Sequence, residues 1–93
     1  MSPTRRQLLA EILRGRPATV PELAEELGVP LRRVVDDLAH LARSLPRGAL
    51  RLTPAECPRC GRVFRDRTRY TRPSRCPDCR GERVSWPVIA IED

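Results

Sequence analysis

Every cysteine of the chain lies in one stretch, CPRCGRVFRDRTRYTRPSRCPDC, residues 57–79, which opens and closes on the same Cys-Pro-x-Cys hook. Two residues separate the cysteines within each hook and fifteen separate the hooks, so Cys57, Cys60, Cys76 and Cys79 match the spacing of a four-cysteine zinc ribbon. A two-residue gap lets a tight turn bring both sulfurs to about 2.3 Å from one ion, and two facing turns close a tetrahedron. Four thiolates leave no open position on the metal, which predicts one structural Zn²⁺ rather than a catalytic one. Proline after the first cysteine of each hook prebends the turn, and Gly61 after the first hook permits the positive φ that aims backbone N–H groups at sulfur. Tetrahedral sulfur also suits iron, and paired thiols also serve as redox couples; the redox motif, however, is usually single and sits on a βαβ frame that this sequence lacks.

The chain is too short to build two independent cores from its 93 residues, and its aromatics are only Phe64, Tyr70 and Trp86. A C-terminal lobe therefore depends on its metal, since residues 61–75 have little to bury besides Val63, Phe64 and Tyr70. The longest aliphatic run, Val88 to Ile91, is far short of a membrane span, and MSPTRRQLL is not a secretory leader. Both point to the cytoplasm, where thiols persist as metal ligands more readily than as disulfides.

Upstream of the hooks the apolar period is helical. TRRQLLAEILR, residues 4–14, sets Leu8, Leu9, Ile12 and Leu13 on one stripe behind a Thr4/Gln7 capping pair, with Gly15 as its stop. Thr19 and Glu22 repeat the capping pattern before Leu23, Ala24 and Leu27, and Gly28 ends that short helix. Pro30 suits the first turn of a third helix carrying Val34, Leu38, Leu41 and Leu45. From residue 49 the pattern changes. Ala49-Leu50-Arg51-Leu52-Thr53 alternates like a half-buried strand, and Trp86 to Ile91 is a β-branched run; paired antiparallel, they hang the cysteine segment from their far end.

The net charge is +6, every basic residue being arginine, which favours an acidic partner such as nucleic acid through counterion release. An Arg-, Pro- and Ala-rich surface is equally what a GC-rich genome writes on any protein, and the halves 1–54 and 55–93 each carry 9 Arg against 6 acids. Seven arginines, Arg59, Arg62, Arg65, Arg67, Arg69, Arg72 and Arg75, fall within seventeen residues with Asp66 as the single acid among them. Some offset the formal −2 of a four-thiolate Zn²⁺ site, and the excess, with Tyr70, is available to grip phosphates. His40, the single histidine, lacks ligand partners in the sequence and is read as a helix-surface or semi-buried residue. No Ser-His-Asp set, paired buried carboxylates or glycine-rich phosphate loop is present, so the expectation is a protein that is not an enzyme.

TVPELAEELGVPLRRVVDDLAHL, residues 19–41, resembles the helix-turn-helix of winged-helix regulators: Glu22-Leu23-Ala24, Leu27-Gly28-Val29, then Val34 with Leu38 and Leu41 fill its pattern. In such a motif the third helix enters the major groove by its N-terminal half, so Arg32 and Arg33 are the candidate base readers, although Asp36 and Asp37 leave the helix nearly neutral. A trihelical scaffold or protein-binding unit is the competing reading. The whole chain resembles a small family of predicted prokaryotic transcription regulators in which a winged helix-turn-helix carries a rubredoxin-like zinc ribbon at the wing. The most specific piece is Pro73-Ser74-Arg75-Cys76-Pro77-x-Cys79 after Cys57-x-x-Cys60-Gly61-x-Val63-Phe64. One departure is that Arg80, not glycine, follows the last cysteine, so the second turn is expected to be looser.

The resemblance implies an α+β fold, with 1–54 as helix-turn-helix plus first wing strand, 55–85 as zinc ribbon and 86–93 as returning strand. It implies DNA binding by the third helix and a structural zinc. Candidate double-stranded DNA contacts are then Arg32, Arg33, Arg67, Arg69 and Arg72. Two rivals stand beside it: an adaptor docking on the transcription machinery through the ribbon, and a rubredoxin-type iron electron carrier, disfavoured by the basic surface and few aromatics.

Overall fold

The computed structural model describes residues 4–65 and 69–92. Three helices come first: α1 (Arg5–Gly15), α2 (Val20–Leu27) and α3 (Leu31–Ser44). They are followed by β1 (Leu50–Thr53) and β2 (Val88–Ile91), which pair antiparallel with Leu50 opposite Ile91 and Thr53 opposite Val88. The cysteine segment leaves and re-enters at the Thr53/Val88 end. The fold is a small α+β unit with three helices, one two-stranded sheet and a cysteine lobe at the sheet's far end.

Both capping pairs form. Gln7 N–H donates to Thr4 Oγ1 at 3.2 Å while Thr4 N–H donates to Gln7 Oε1 at 2.8 Å, and Thr19 with Glu22 repeats the exchange at the start of α2. Gly28 takes the left-handed conformation, φ 68° and ψ 35°, that turns α2 into α3. Gly15 closes α1 as its last residue, and extended Arg16 caps it, donating its N–H to Ile12 O at 2.9 Å. One helix start differs from the sequence expectation. Pro30 stands one residue before the first turn of α3, at its N-cap.

One core serves the helices and sheet: Leu9, Leu13, Val20, Leu23, Val34, Leu38, Ile89 and Ile91 are all buried. Leu8, expected on the inner stripe, is exposed, and Ala10 is buried in its stead, because the buried face of α1 centres on Leu9 and Leu13 and turns Leu8 outward. Ala18, between α1 and α2, exchanges backbone hydrogen bonds with Ile89 at 2.9 and 2.8 Å, so β2 is paired on both edges. A two-residue bridge flanked by Pro17 carries no periodicity and left no signal in the sequence. Tyr70 and Trp86 pack against this first core. The second core is thin: Ala55, Cys57, Cys76 and Val84, with Phe64 and Cys79 against them.

Candidate metal centre

The two hooks are built alike. In the first, Gly61 N–H donates to Cys57 O at 2.8 Å and Cys57 N–H to Arg62 O at 2.8 Å; in the second, Arg80 N–H donates to Cys76 O at 2.7 Å and Cys76 N–H to Gly81 O at 2.8 Å. Gly61 has φ 81° and Arg80 has φ 60°. The second turn is therefore as tight as the first, against expectation: Arg80 adopts the left-handed conformation that glycine would take, a strain of about 1–2 kcal/mol for a residue with a Cβ. Glycine was expected there because it is the residue that occupies such a turn without strain.

The hooks face each other. All four Sγ atoms lie within 4.8 Å of one another, with Cys57–Cys79 at 3.5 Å and Cys60–Cys76 at 3.6 Å. A tetrahedron with metal–sulfur bonds of about 2.3 Å has edges of about 3.8 Å, so the four sulfurs fit one ion. Cys57 and Cys76 are buried, Cys79 is half-buried and Cys60 is exposed. The N–H of Cys60 is the largest influence lowering Cys57, to about 7. The N–H of Arg62 acts in the same sense on Cys60, but desolvation and the adjoining thiols of Cys76, Cys57 and Cys79 outweigh it and push Cys60 up to about 12. Cys57 is thus favoured as a thiolate by the N–H groups around it, while the neighbouring thiols and desolvation oppose charge at Cys60.

Around the sulfurs the arginines are more engaged than the sequence suggested. Arg62 donates to Asp78 at 2.7 Å, joining one hook to the other, and stands 5.3 Å from the Phe64 ring centre. Arg75 reaches Glu82 at 3.5 Å, and Arg72 donates to Glu82 O at 3.0 Å while lying 6.0 Å from the Trp86 ring centre. Asp66 was the single acid counted between the hooks; Asp78 and Glu82, later in sequence, fold back to offset these cations. Tyr70 is half-buried beside Pro46, Leu50 and Leu52, and burial pushes its phenol up. It is a packing residue of the first core where an exposed contact residue was expected.

Of the candidate DNA contacts, Arg32 and Arg33 are exposed on the first turn of α3, and Arg69 is exposed. Arg72 is also exposed, but engaged as above, and Arg67 lies outside the described residues. His40 is exposed on α3, as expected. The sequence reading missed Asp37. It is 1% exposed on the inner face of α3, takes Arg5 Nε at 2.5 Å and Arg5 Nη2 at 3.2 Å, and accepts from Arg6 Nε at 3.2 Å. The Arg5 hydrogen bond is the main influence holding its carboxyl below the ordinary range. Its position, three residues after Val34 and four before Leu41, was the available signal. Because α1 compensates this carboxylate, Asp37 does not subtract from the outward charge of α3.

The family model described as PF0610-like, N-terminal matches residues 4–53, which hold the three helices and β1. The solution NMR structure of protein PF0610 from Pyrococcus furiosus is similar over the full length: TM-score 0.79 and 30% identity, covering 100% of this chain and 92% of that one. No curated protein sequence matches.

Proposed function

The chain belongs to the PF0610-like family, and from that premise we propose that it is a DNA-binding transcriptional regulator: a winged helix-turn-helix whose wing, β1 and β2, carries a ribbon clamped by one structural Zn²⁺. The observation that carries the DNA reading is the division of α3, with Val34, Leu38 and Leu41 inward and Arg32 and Arg33 exposed at its N-terminal end, behind the left-handed Gly28 turn. That is the arrangement a helix needs to enter a major groove while its other face stays locked in a core. Residues 55–85 form the ribbon in this reading and 86–93 the return of the wing. The ion supplies no chemistry beyond holding the turns; the protein acts by binding, in the cytoplasm.

Selection of bound duplexes from a random pool tests the proposal. A sequence preference that relaxes in Arg32→Ala/Arg33→Ala, with affinity falling steeply with salt, is the expected outcome. Binding without preference and unchanged by that substitution shifts the reading to its rival, an adaptor that docks on the transcription machinery through the ribbon. The feature favouring that rival is a groove of about 430 Å³ at the ribbon, with exposed Val63 and half-buried Phe64 between Arg62 and Arg75. Visible charge-transfer bands in the purified protein would instead indicate iron and an electron carrier.

A further inference from the structure

Between the start of α1 and the outer flank of α3 lies an open cleft of about 290 Å³. Arg5 and Arg6 line it from α1, and Arg33, Asp36, His40 and Arg43 from α3, with Asp37 at its base. Four guanidiniums thus face two carboxylates, and one of those carboxylates, Asp37, is buried and already engaged by Arg5 and Arg6. Arg5 spends Nε and Nη2 on Asp37, whereas Arg6 engages it through Nε alone among the described contacts. The side chains of Arg5 and Arg6 remain 37% and 50% exposed.

This is not a solvated charge run. Long flexible cations at a helix start ordinarily sample many rotamers, and fixing one costs conformational entropy at the moment of binding. Here a carboxylate buried in the helix interface has fixed two of them in advance, side by side, beside cations that project from the neighbouring helix. Planar guanidiniums in that setting match the tetrahedral oxygens of phosphate, and the excess of cations over carboxylates leaves the cleft positive.

We propose that the α1/α3 cleft binds a phosphoryl group, with Arg6, Arg33 and Arg43 as the gripping cations and Asp37 as the residue that positions Arg5 and Arg6. The cleft shares Arg33 with the exposed N-terminal end of α3 that carries Arg32, so the phosphodiester backbone of a duplex engaged by α3 is one source of that group. A free phosphorylated ligand is the other, and only the first source rests on the regulator reading above.

The test is an NMR titration of the metal-loaded, isotope-labelled full chain, following arginine Nε–Hε and His40 ring signals. Inorganic phosphate and a short mixed-sequence duplex are added in separate experiments. Saturable shifts of Arg6, Arg33 and His40 with both are expected. In Arg6→Ala/Arg43→Ala, checked for an otherwise retained amide spectrum, duplex affinity is expected to fall about tenfold or more, and the slope of log affinity against log salt to lessen by about 2. Shifts with phosphate but no duplex binding uphold the cleft, assign it to a free ligand and count against the regulator reading. Duplex binding that leaves the cleft signals unmoved spares the regulator reading; it assigns the cleft to a free ligand where phosphate shifts those signals and overturns the cleft where phosphate does not. No movement with either overturns the cleft outright.

Discussion

Arg80 shows how a backbone requirement prevails over a side-chain preference. Its φ of 60° is demanded by the hook: the N–H it donates to Cys76 O is the counterpart of the one Gly61 donates to Cys57 O. The four sulfurs can face one ion only if both turns close, so the strain is sustained by the rest of the clamp. Arg80→Gly removes that strain but frees the unfolded chain, so the two effects partly offset and the net gain is about 1 kcal/mol. Thermal unfolding of the metal-loaded protein checks this; a midpoint that falls in the glycine variant would mean the arginine side chain contributes more than its backbone costs.

Among the elements, the helices were the most legible in the sequence, because their signals are local: two Thr-led capping pairs, a glycine turn and a stripe repeating every three or four residues. The strands were legible from the change of period at residue 49, and β2 proved shorter than its β-branched run because Trp86 and Pro87 precede the pairing. What local pattern could not carry was partnership across the fold. The Ala18–Ile89 bridge, the return of Tyr70 to the first core, the pairing of Arg62 with Asp78, and the burial of Asp37 all join residues remote in sequence.

Asp37 is the clearest case, since it ties α1 to α3. Asp37→Ala leaves two arginines without their shared acceptor, and with both still partly exposed to water the expected cost is about 2 kcal/mol. The pH dependence has a definite sign. A carboxylate depressed below its ordinary 3.8 by Arg5 and Arg6 contributes stability that is fully present above that value and is lost as pH falls through its lower folded value. Denaturant unfolding of the native chain and the variant checks both points: the gap between them should stay constant above pH 5, roughly one unit over the ordinary carboxylate range, and narrow in more acidic solution. A gap that widens with acidification would contradict the ion pair.

On the scale of the whole molecule, 50 × 28 × 19 Å, two lobes share one two-stranded stem but not one source of stability. The helical lobe buries leucines, valines and isoleucines from the three helices and β2, while the cysteine lobe buries two cysteines with Ala55 and Val84. A cluster that small supplies little hydrophobic free energy, so on the proposed reading the cysteine lobe takes its order from coordination. The matched hooks made the clustering of Cys57, Cys60, Cys76 and Cys79 legible in the sequence. Among the described residues no helix is long and apolar enough to cross a membrane.

The most direct measurement is the amide spectrum of the purified protein, with metal content determined on the same sample, before and after exhaustive chelation. One zinc per chain is expected, and on its removal the signals of residues 55–85 should collapse to random-coil positions while those of α1 to α3 keep their dispersion. A metal-free chain whose residues 55–85 stay dispersed would contradict the account.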